Sequence, residues 1–538
     1  LEKLKTLSYG IGLSTQQIAL AILSGLALTA GFPPVGWIAA PWAAFVLLFW
    51  AICDLDAAKS LKAGLIAGLS HYLSLLFWLV PTMNRYGYLP VWLSVIILIL
   101  LAFYLSLYTA LFTFLIAWLR MGPAASLMII PALWVSLEYL RGVLFTGFPW
   151  GLIGYSQYDF LKLVQISDIF GVYGIGFLIM LANCVLFFTL ACLSGRKWFN
   201  KSVGWPLVTA SAAFTIFLTA GAALYGHHRL ASIDKMTEHA KKMTISVIQG
   251  NIDQDVKWDI EFRNATIDTY FRLSRQELGL NPDLIIWPET AAPFYFGYHA
   301  DLTEKVVGGI RDMGPYFLIG APTFEIIEEN DQYYNSAYMI SPDGRVLQRY
   351  DKVHLVPFGE YVPFKKFLPF LGKIVEQVGD FNTGEIGSTL KWGQIDTGVL
   401  ICYEAIFPGL AAKLVQNNSG LLVSITNDAW FGDTGAPYQH FIMAAFRAIE
   451  TRRSLVRAAN TGISGFIDPS GRILGQTGLF KEAAMTRKLP IIRSCQTPYT
   501  RHGDVLVWVC FIASMLYVMI KFLQIKFFPK GKKYGRAT

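Results

Sequence analysis

Long apolar runs fill most of the first half of the chain and return near residue 504; between them, short apolar runs alternate with polar helical patterns. A bilayer core about 30 Å thick needs roughly 20 helical residues at about 1.5 Å each. Windows of that order lie near 13–31, 35–53, 61–80, 90–119, 123–140, 171–194 and 204–225, with another near 504–524. Eight membrane helices are therefore expected. The 90–119 run is long enough to tilt or to extend past the membrane.

The intervening block has a different period. Runs rich in β-branched and aromatic residues at 243–249, 283–288, 316–321, 334–340, 396–402, 421–427, 454–459 and 463–468 interleave with helical patterns near 259–278, 302–313, 405–417 and 438–452. That alternation predicts an α/β unit. Ser-Pro-Asp-Gly at 341–344 and Asp-Pro-Ser-Gly at 468–471 read as hairpin turns. Three parts follow: a seven-helix membrane portion over 1–227, an α/β unit over 228–500, and an eighth helix with a basic tail over 501–538.

Charge orients this arrangement. Apolar residues make up 54% of the chain and charged ones 15%, too greasy for two water-soluble domains. With the first end inside, Lys3, Lys5, Lys59, Lys62, Arg120, Arg196, Lys197, Lys201 and the tail Lys526, Lys530, Lys532, Lys533 and Arg536 fall on the cytoplasmic side, against Arg85, Arg141 and Lys162 opposite. Both termini are therefore expected in the cytoplasm and the α/β unit outside it. A cleaved signal peptide fits less well, since further apolar spans follow the first and no small-residue cleavage site stands out. The net charge of +8 gathers at the ends of apolar stretches rather than in an aromatic-interleaved basic run, so no nucleic-acid partner is expected. Six scattered cysteines without Cys-x-x-Cys spacing make neither a disulfide framework nor a metal site. Cys402 and Cys495 could pair, but the strand-to-helix position of Cys402 suits a reactive thiol better.

Three strings carry candidate chemistry: Ile-Ile-Trp-Pro-Glu-Thr at 285–290, Tyr-Asp-Lys-Val-His-Leu-Val-Pro-Phe-Gly-Glu at 350–360 and Val-Leu-Ile-Cys-Tyr-Glu at 399–404. Cys402 ends a β-branched run just before a helical pattern, where a helix dipole and backbone N–H groups favour a thiolate and can hold an oxyanion. Glu289 leaves a buried strand behind Pro288 and can take the thiol proton. Lys352 can stabilise the tetrahedral oxyanion as a point charge. Taken singly, each has a bland alternative: a buried structural cysteine, a solvated strand-end carboxylate, a surface lysine. His354 allows a Cys–His dyad instead.

At these strings the block resembles the nitrilase superfamily, whose members place a Glu-Lys-Cys triad in an α-β-β-α sandwich. The whole chain resembles the bacterial apolipoprotein N-acyltransferases. The likeness is carried by Gly-Asn-Ile at 250–252, Lys-Trp-Asp at 257–259, Pro-Phe-Gly-Glu-Tyr-Val-Pro at 357–363, Ile-Cys-Tyr-Glu at 401–404 and Thr-Asn-Asp-Ala-Trp-Phe-Gly at 426–432, with Thr-Gly-Phe-Pro-Trp at 146–150 and Gly-Tyr-Ser-Gln at 154–157 in the membrane half. The resemblance implies Glu289 as general base, Lys352 as oxyanion stabiliser and Cys402 as nucleophile, supported by Trp258, Asn335, Glu360, Tyr403, Glu404 and Trp430. It also implies an acyl donor among the glycerophospholipids and, as acceptor, the α-amine of an N-terminal S-diacylglyceryl cysteine, in the bacterial inner membrane with the catalytic unit in the periplasm. No nucleotide, metal or flavin motif appears, no cofactor is expected, and a monomer is expected.

A lipid donor constrains the site physically. Moving a sixteen-carbon chain wholly into water would cost on the order of 12 kcal/mol, so the site should open onto the bilayer. Phe294, Tyr295, Phe296 and Tyr298, together with Phe364, Phe367, Leu368, Phe370 and Leu371, are candidate lipid-facing loops, and Lys365, Lys366 and Lys373 fit snorkelling at an interface. Two rival readings remain. A membrane-tethered amidase or nitrilase would show a polar, water-filled mouth. A transporter with an external binding domain would need an ionisable group within the spans, for which Glu138 is the candidate.

Overall fold

The computed structural model describes residues 12–254, 257–362, 380–493 and 495–527. Apolar helices stand at all eight expected places: α1 (Thr15–Ala30), α2 (Pro41–Ile52), α3 (Ala57–Leu75) bent into α4 (Leu79–Arg85), α5 (Val91–Leu119), α6 (Pro123–Val143), α7 (Ser167–Ser194), α8 (Trp205–His239) and, after the α/β unit, a last helix over Val505–Phe527. They differ in length. Among the described residues five helices are long and apolar enough to span a membrane, or six if the pair bent by 51° at Leu75–Leu79 is one span. The 12 residues of α2 reach only about 18 Å. Small residues bring helices together. A Cβ on Gly64 of α3 would meet Thr113 Oγ1 of α5 at 2.1 Å, and one on Gly68 would meet Ser106 Cα at 2.8 Å.

The boundary expected at 228 falls inside α8, which continues to His239 and hands the chain to β1 (Lys242–Gln249). After β1 come α9 (Ile260–Glu277), β2 (Leu284–Ile286), α10 (Ala300–Met313), β3 (Tyr316–Ile327), β4 (Asn330–Ile340), β5 (Val346–Asp351), β6 (Thr389–Trp392), β7 (Ile395–Ile401), α11 (Pro408–Gln416), β8 (Leu421–Thr426), α12 (Ala436–Thr451), β9 (Ser454–Ala459), β10 (Gly465–Ile467), β11 (Ile473–Gln476) and β12 (Ala483–Pro490). They form two six-stranded sheets, ordered β12-β1-β2-β3-β4-β5 and β6-β7-β8-β9-β10-β11. Both sheets have the same sense pattern: β1, β2 and β3 run parallel, as do β7, β8 and β9, and every outer pair is antiparallel. Both predicted turns are found, joining β4 to β5 and β10 to β11.

Apolar side chains from the two sheets, among them Val247, Ile286 and Leu318 facing Val399, Val423 and Val456, make the central core. Ile267, Tyr270, Val306 and Ile310 of α9 and α10 cover the outside of the first sheet. Phe441, Ala444, Ala445 and Ala448 of α12 cover the outside of the second, at helical spacing. The layers are thus α-β-β-α. The other face of α12, with Ile442, Met443, Phe446 and Ile449, packs into the core of the membrane helices, so α12 is buried on both sides. A buried ion pair and a buried hydrogen bond cross the same seam. Asp168 at the start of α7 meets Arg229 of α8 and Arg452 just past α12, each at 2.8 Å, and Arg447 of α12 donates to Tyr155 at 2.8 Å. Such pairs add little net stability after desolvation, but they fix how the two units sit together.

Candidate active site

Cys402 follows β7 directly and opens a short 3-10 turn over Cys402–Ile406. Its φ of +52° lies in the left-handed region, which costs a non-glycine residue roughly 1–2 kcal/mol. Glu404, fully buried, helps hold this bend. Its carboxylate accepts from Ile401 N at 2.7 Å, Val353 N at 2.6 Å, His354 N at 3.1 Å and the Tyr350 hydroxyl at 3.1 Å. One side chain thereby joins the exit of β7 to the segment just past Lys352. Burial pushes the Glu404 carboxyl up to about 7, even though those N–H donors favour its charged form.

Glu289 lies just past β2, and Lys352 just past β5. Asn335 on β4 bridges the carboxylates of Glu289 and Glu360: its Nδ2 donates to Glu289 Oε1 at 2.7 Å and to Glu360 Oε1 at 2.9 Å, while its buried Oδ1 has no partner among the described residues. Asn427 N, at the end of β8, donates to Glu289 Oε2 at 2.9 Å. Lys352 donates to Glu360 Oε1 at 2.8 Å and stands 3.8 Å from Glu289 Oε1. Burial opposes the lysine's charge, but Glu360 and Glu289 more than offset it and raise Lys352 above the usual range. The cation is permanent at any physiological pH.

The thiol differs from the thiolate that its position suggested. Cys402 is 9% exposed, and burial, followed by the charge of Glu289, holds the thiol above its ordinary range despite Lys352. A five-residue 3-10 turn gives too little helix for a dipole to reverse that. Cys402 rests as a neutral thiol, and Glu289 and Lys352 both act on it electrostatically. His354 is no alternative base. Burial, then Lys352, pushes it down to about 4; its ring packs 3.8 Å from that of Phe407, and among the described residues no hydrogen bond joins it to Cys402. Cys402 and Cys495 are both free thiols.

The supporting residues divide. Asn335, Glu360 and Glu404 belong to the polar set just described. Tyr403 reaches toward the membrane helices, donating to Gly147 O at 3.4 Å. Trp430 sits on the same seam: its ring packs 5.2 Å from Tyr86, and its carbonyl accepts from Thr82 at 2.7 Å. Trp258 is exposed, beside a fully buried Lys257 whose Nζ donates to Glu289 O at 3.2 Å; burial lowers Lys257 to about 8. Phe294 and Phe296, expected to face lipid, are instead buried at 1% and 4% exposure in the core outside the first sheet, where Phe296 packs on Tyr338. The chain after Glu289 folds back along β3, with Phe296 N donating to Pro322 O, and this turns the phenylalanines inward. Phe364, Phe367, Leu368, Phe370 and Leu371, with Lys365, Lys366 and Lys373, lie outside the described residues. Glu138, the transporter candidate, accepts from Ile153 N at 2.8 Å and so anchors the segment after its own helix.

Sequence reasoning gave no role to a second buried network. Asp428 pairs with Arg457 at 2.8 Å, accepts from Thr426 at 2.9 Å and lies 3.1 Å from His440 Nδ1; the other nitrogen of His440 is 3.1 Å from the carbonyl of Cys402. Burial alone would raise Asp428, but Arg457 and His440 outweigh it and hold the carboxyl well below the usual range. Asp428 stood inside a noted motif. His440 is 38 residues from Cys402 and carries no local signal.

The two-sheet sandwich is of the carbon–nitrogen hydrolase class: the family model described as Carbon-nitrogen hydrolase matches residues 244–497. A second model, described as Apolipoprotein N-acyltransferase N-terminal domain, matches residues 24–185. The chain is 42% identical to the apolipoprotein N-acyltransferase of Geobacter metallireducens over 94% of its own length and 95% of the relative's. The enzymes of the same name from Methylococcus capsulatus and Pasteurella multocida are 33% and 32% identical, covering 90% and 91% of this chain and 92% of each relative. Among solved structures, an amidase from Nesterenkonia sp. overlays 50% of this chain and 96% of its own at 19% identity, with a TM-score of 0.37. The protein belongs to the apolipoprotein N-acyltransferase family. It is a membrane acyltransferase.

Proposed function

We propose that this protein transfers a fatty acyl chain from a glycerophospholipid to the α-amine of an N-terminal S-diacylglyceryl cysteine on an apolipoprotein, through a thioester on Cys402. Glu289 takes the Sγ proton, and the sulfur attacks the ester carbonyl. Lys352 balances the oxyanion. As the tetrahedral species collapses, the C–O bond breaks and the lysophospholipid leaves with the proton held by Glu289. The acceptor amine then attacks the thioester, gives a proton to Glu289, and the C–S bond breaks to return the neutral thiol. Glu360 and Asn335 hold the base and the cation at a fixed separation, and Glu404 fixes the backbone on either side.

The observation that carries this reading is the placement of the nucleophile at the seam between the two units. Tyr403, the next residue after Cys402, touches the loop after α6, and Trp430 touches α4. A donor held in the bilayer can reach such a site without crossing open water, whereas a hydrolase of small soluble substrates gains nothing from it. Exclusion of water also protects the thioester. The reading includes a bacterial inner-membrane location and a monomer as the working form; the charge asymmetry of the loops supports both termini in the cytoplasm and the catalytic unit in the periplasm.

The test is to incubate purified protein with labelled phospholipid alone and to map the adduct by mass spectrometry. A hydroxylamine-sensitive acyl group on Cys402, lost in Cys402→Ala, is expected. Labelling of another residue would reject the assigned nucleophile.

A further inference from the structure

Cys402 is held on both sides of its strained φ. On the preceding side, Glu404 accepts from Ile401 N. On the following side, the only polar atom of the Cys402–Tyr403 peptide that faces His440 is the carbonyl oxygen, 3.1 Å from Nε2. A carbonyl can only accept, so Nε2 carries a proton in either charge state of the ring. Nδ1 is seated 2.9 Å from Arg457 and 3.1 Å from Asp428, and all three side chains are 0–1% exposed. The imidazole is boxed as well, with the rings of Trp150 and Phe431 at 5.7 Å and 6.0 Å.

A trans peptide is planar, with its C=O and N–H pointing in opposite directions. Fixing the Cys402 carbonyl therefore fixes the N–H of Tyr403, which points away from His440. That N–H belongs to the first turn, where helical bonding supplies no acceptor. We infer that His440 is a positioning residue for acyl transfer: by holding the Cys402 carbonyl it aims the Tyr403 N–H, which joins Lys352 as a second donor to the oxyanion formed on Cys402. This rests on the reading of Cys402 as the acylated nucleophile. Asp428 and Arg457 act one step further out, keeping the ring in its slot.

The experiment compares two reactions of the same sulfur in the full-length protein in detergent. Acylation by a p-nitrophenyl ester passes through an oxyanion; alkylation by iodoacetamide does not. In His440→Leu, acylation of Cys402 is expected to fall about 100-fold, the typical cost of losing one oxyanion donor, with alkylation within about threefold of wild type. His440→Gln, whose amide nitrogen donates from nearly the same place as Nε2, is expected to recover acylation to within about tenfold of wild type. Acylation unchanged in His440→Leu, both reactions falling together, or no recovery by Gln would each overturn the inference. If His440→Leu does not fold, His440→Asn replaces it. Its amide stops short of the carbonyl, so equal acylation by the Asn and Gln variants would count against the inference as well. A wild-type protein that takes the aryl ester but not phospholipid refutes the lipid donor proposed above and leaves this test standing. A wild-type protein inert to both refutes both.

Discussion

Cys402 lies between two buried polar networks, and they are built differently. On one side Glu289, Asn335, Lys352 and Glu360 put two carboxylates around one shared ammonium, with buried Lys257 on the backbone carbonyl of Glu289, and among the described residues the amide oxygen of Asn335 has no partner. On the other, Asp428 and Arg457 form a one-to-one ion pair capped by Thr426 and His440. The first set can give up or take a proton without stranding a charge, because a neighbour of opposite sign is always within about 4 Å. The second set has no such slack. On the function proposed above, the proton moves through the network that shares its cation between two carboxylates, while the closed one-to-one pair holds geometry.

Substitutions can break that contrast. Glu289→Gln should lower the rate of Cys402 acylation by about 10⁴-fold, the upper end of what a general base contributes, while thermal unfolding moves far less than that loss implies. A fall in stability matching the fall in rate would erase the distinction. Asp428→Asn should do the reverse, costing about 3–5 kcal/mol of stability because it leaves the Arg457 guanidinium buried and unmatched, with acylation by the remaining folded protein within about tenfold. Denaturant or thermal unfolding reads the first quantity and stopped acylation assays the second. Asn335→Ala removes one donor to two carboxylates at about 1.5–3 kcal/mol and should slow acylation roughly ten- to a hundredfold.

The pH dependence sharpens the same contrast. Since burial holds the Cys402 thiol above its usual range, its thiolate fraction should climb about tenfold per pH unit from pH 7 to 9, and iodoacetamide alkylation with it. A plateau below pH 8 would mean a ready-made thiolate and no need for Glu289. Tyr403→Phe should have the smallest effect, at most about twofold on acylation, because its hydroxyl contact to Gly147 is long at 3.4 Å.

Much of this was legible in the residues. The parallel strands β1, β2, β7, β8 and β9 are short apolar runs buried on both faces, and the helices between them show their period, so the α/β unit and the three strand exits follow from pattern. The edge strands β5, β6, β11 and β12 escaped, because partly exposed strands such as Val-Leu-Gln-Arg-Tyr-Asp lack that signature. Phe294 and Phe296 were misplaced because an aromatic loop beside a lipid site and an aromatic loop folded into a core have the same composition. The state of the thiol depended on burial, which local sequence does not report. The Asp428–His440–Arg457 set joins strand ends and a helix that only the tertiary fold brings together.

The run from Trp205 to His239 has a consequence for how the two halves could change independently. Its 35 residues measure about 52 Å, so a good part stands clear of any hydrocarbon layer and delivers the chain to β1 with almost no slack. Near its far end, Arg229 is pinned to Asp168 and Asp234 to Arg472. One residue added between Ile233 and the end of the rod would advance everything beyond it by about 1.5 Å and swing it by about 100°. Where a loop would absorb such an insertion, this shaft transmits it to the first strand, so its length is set as tightly as any residue of the catalytic set.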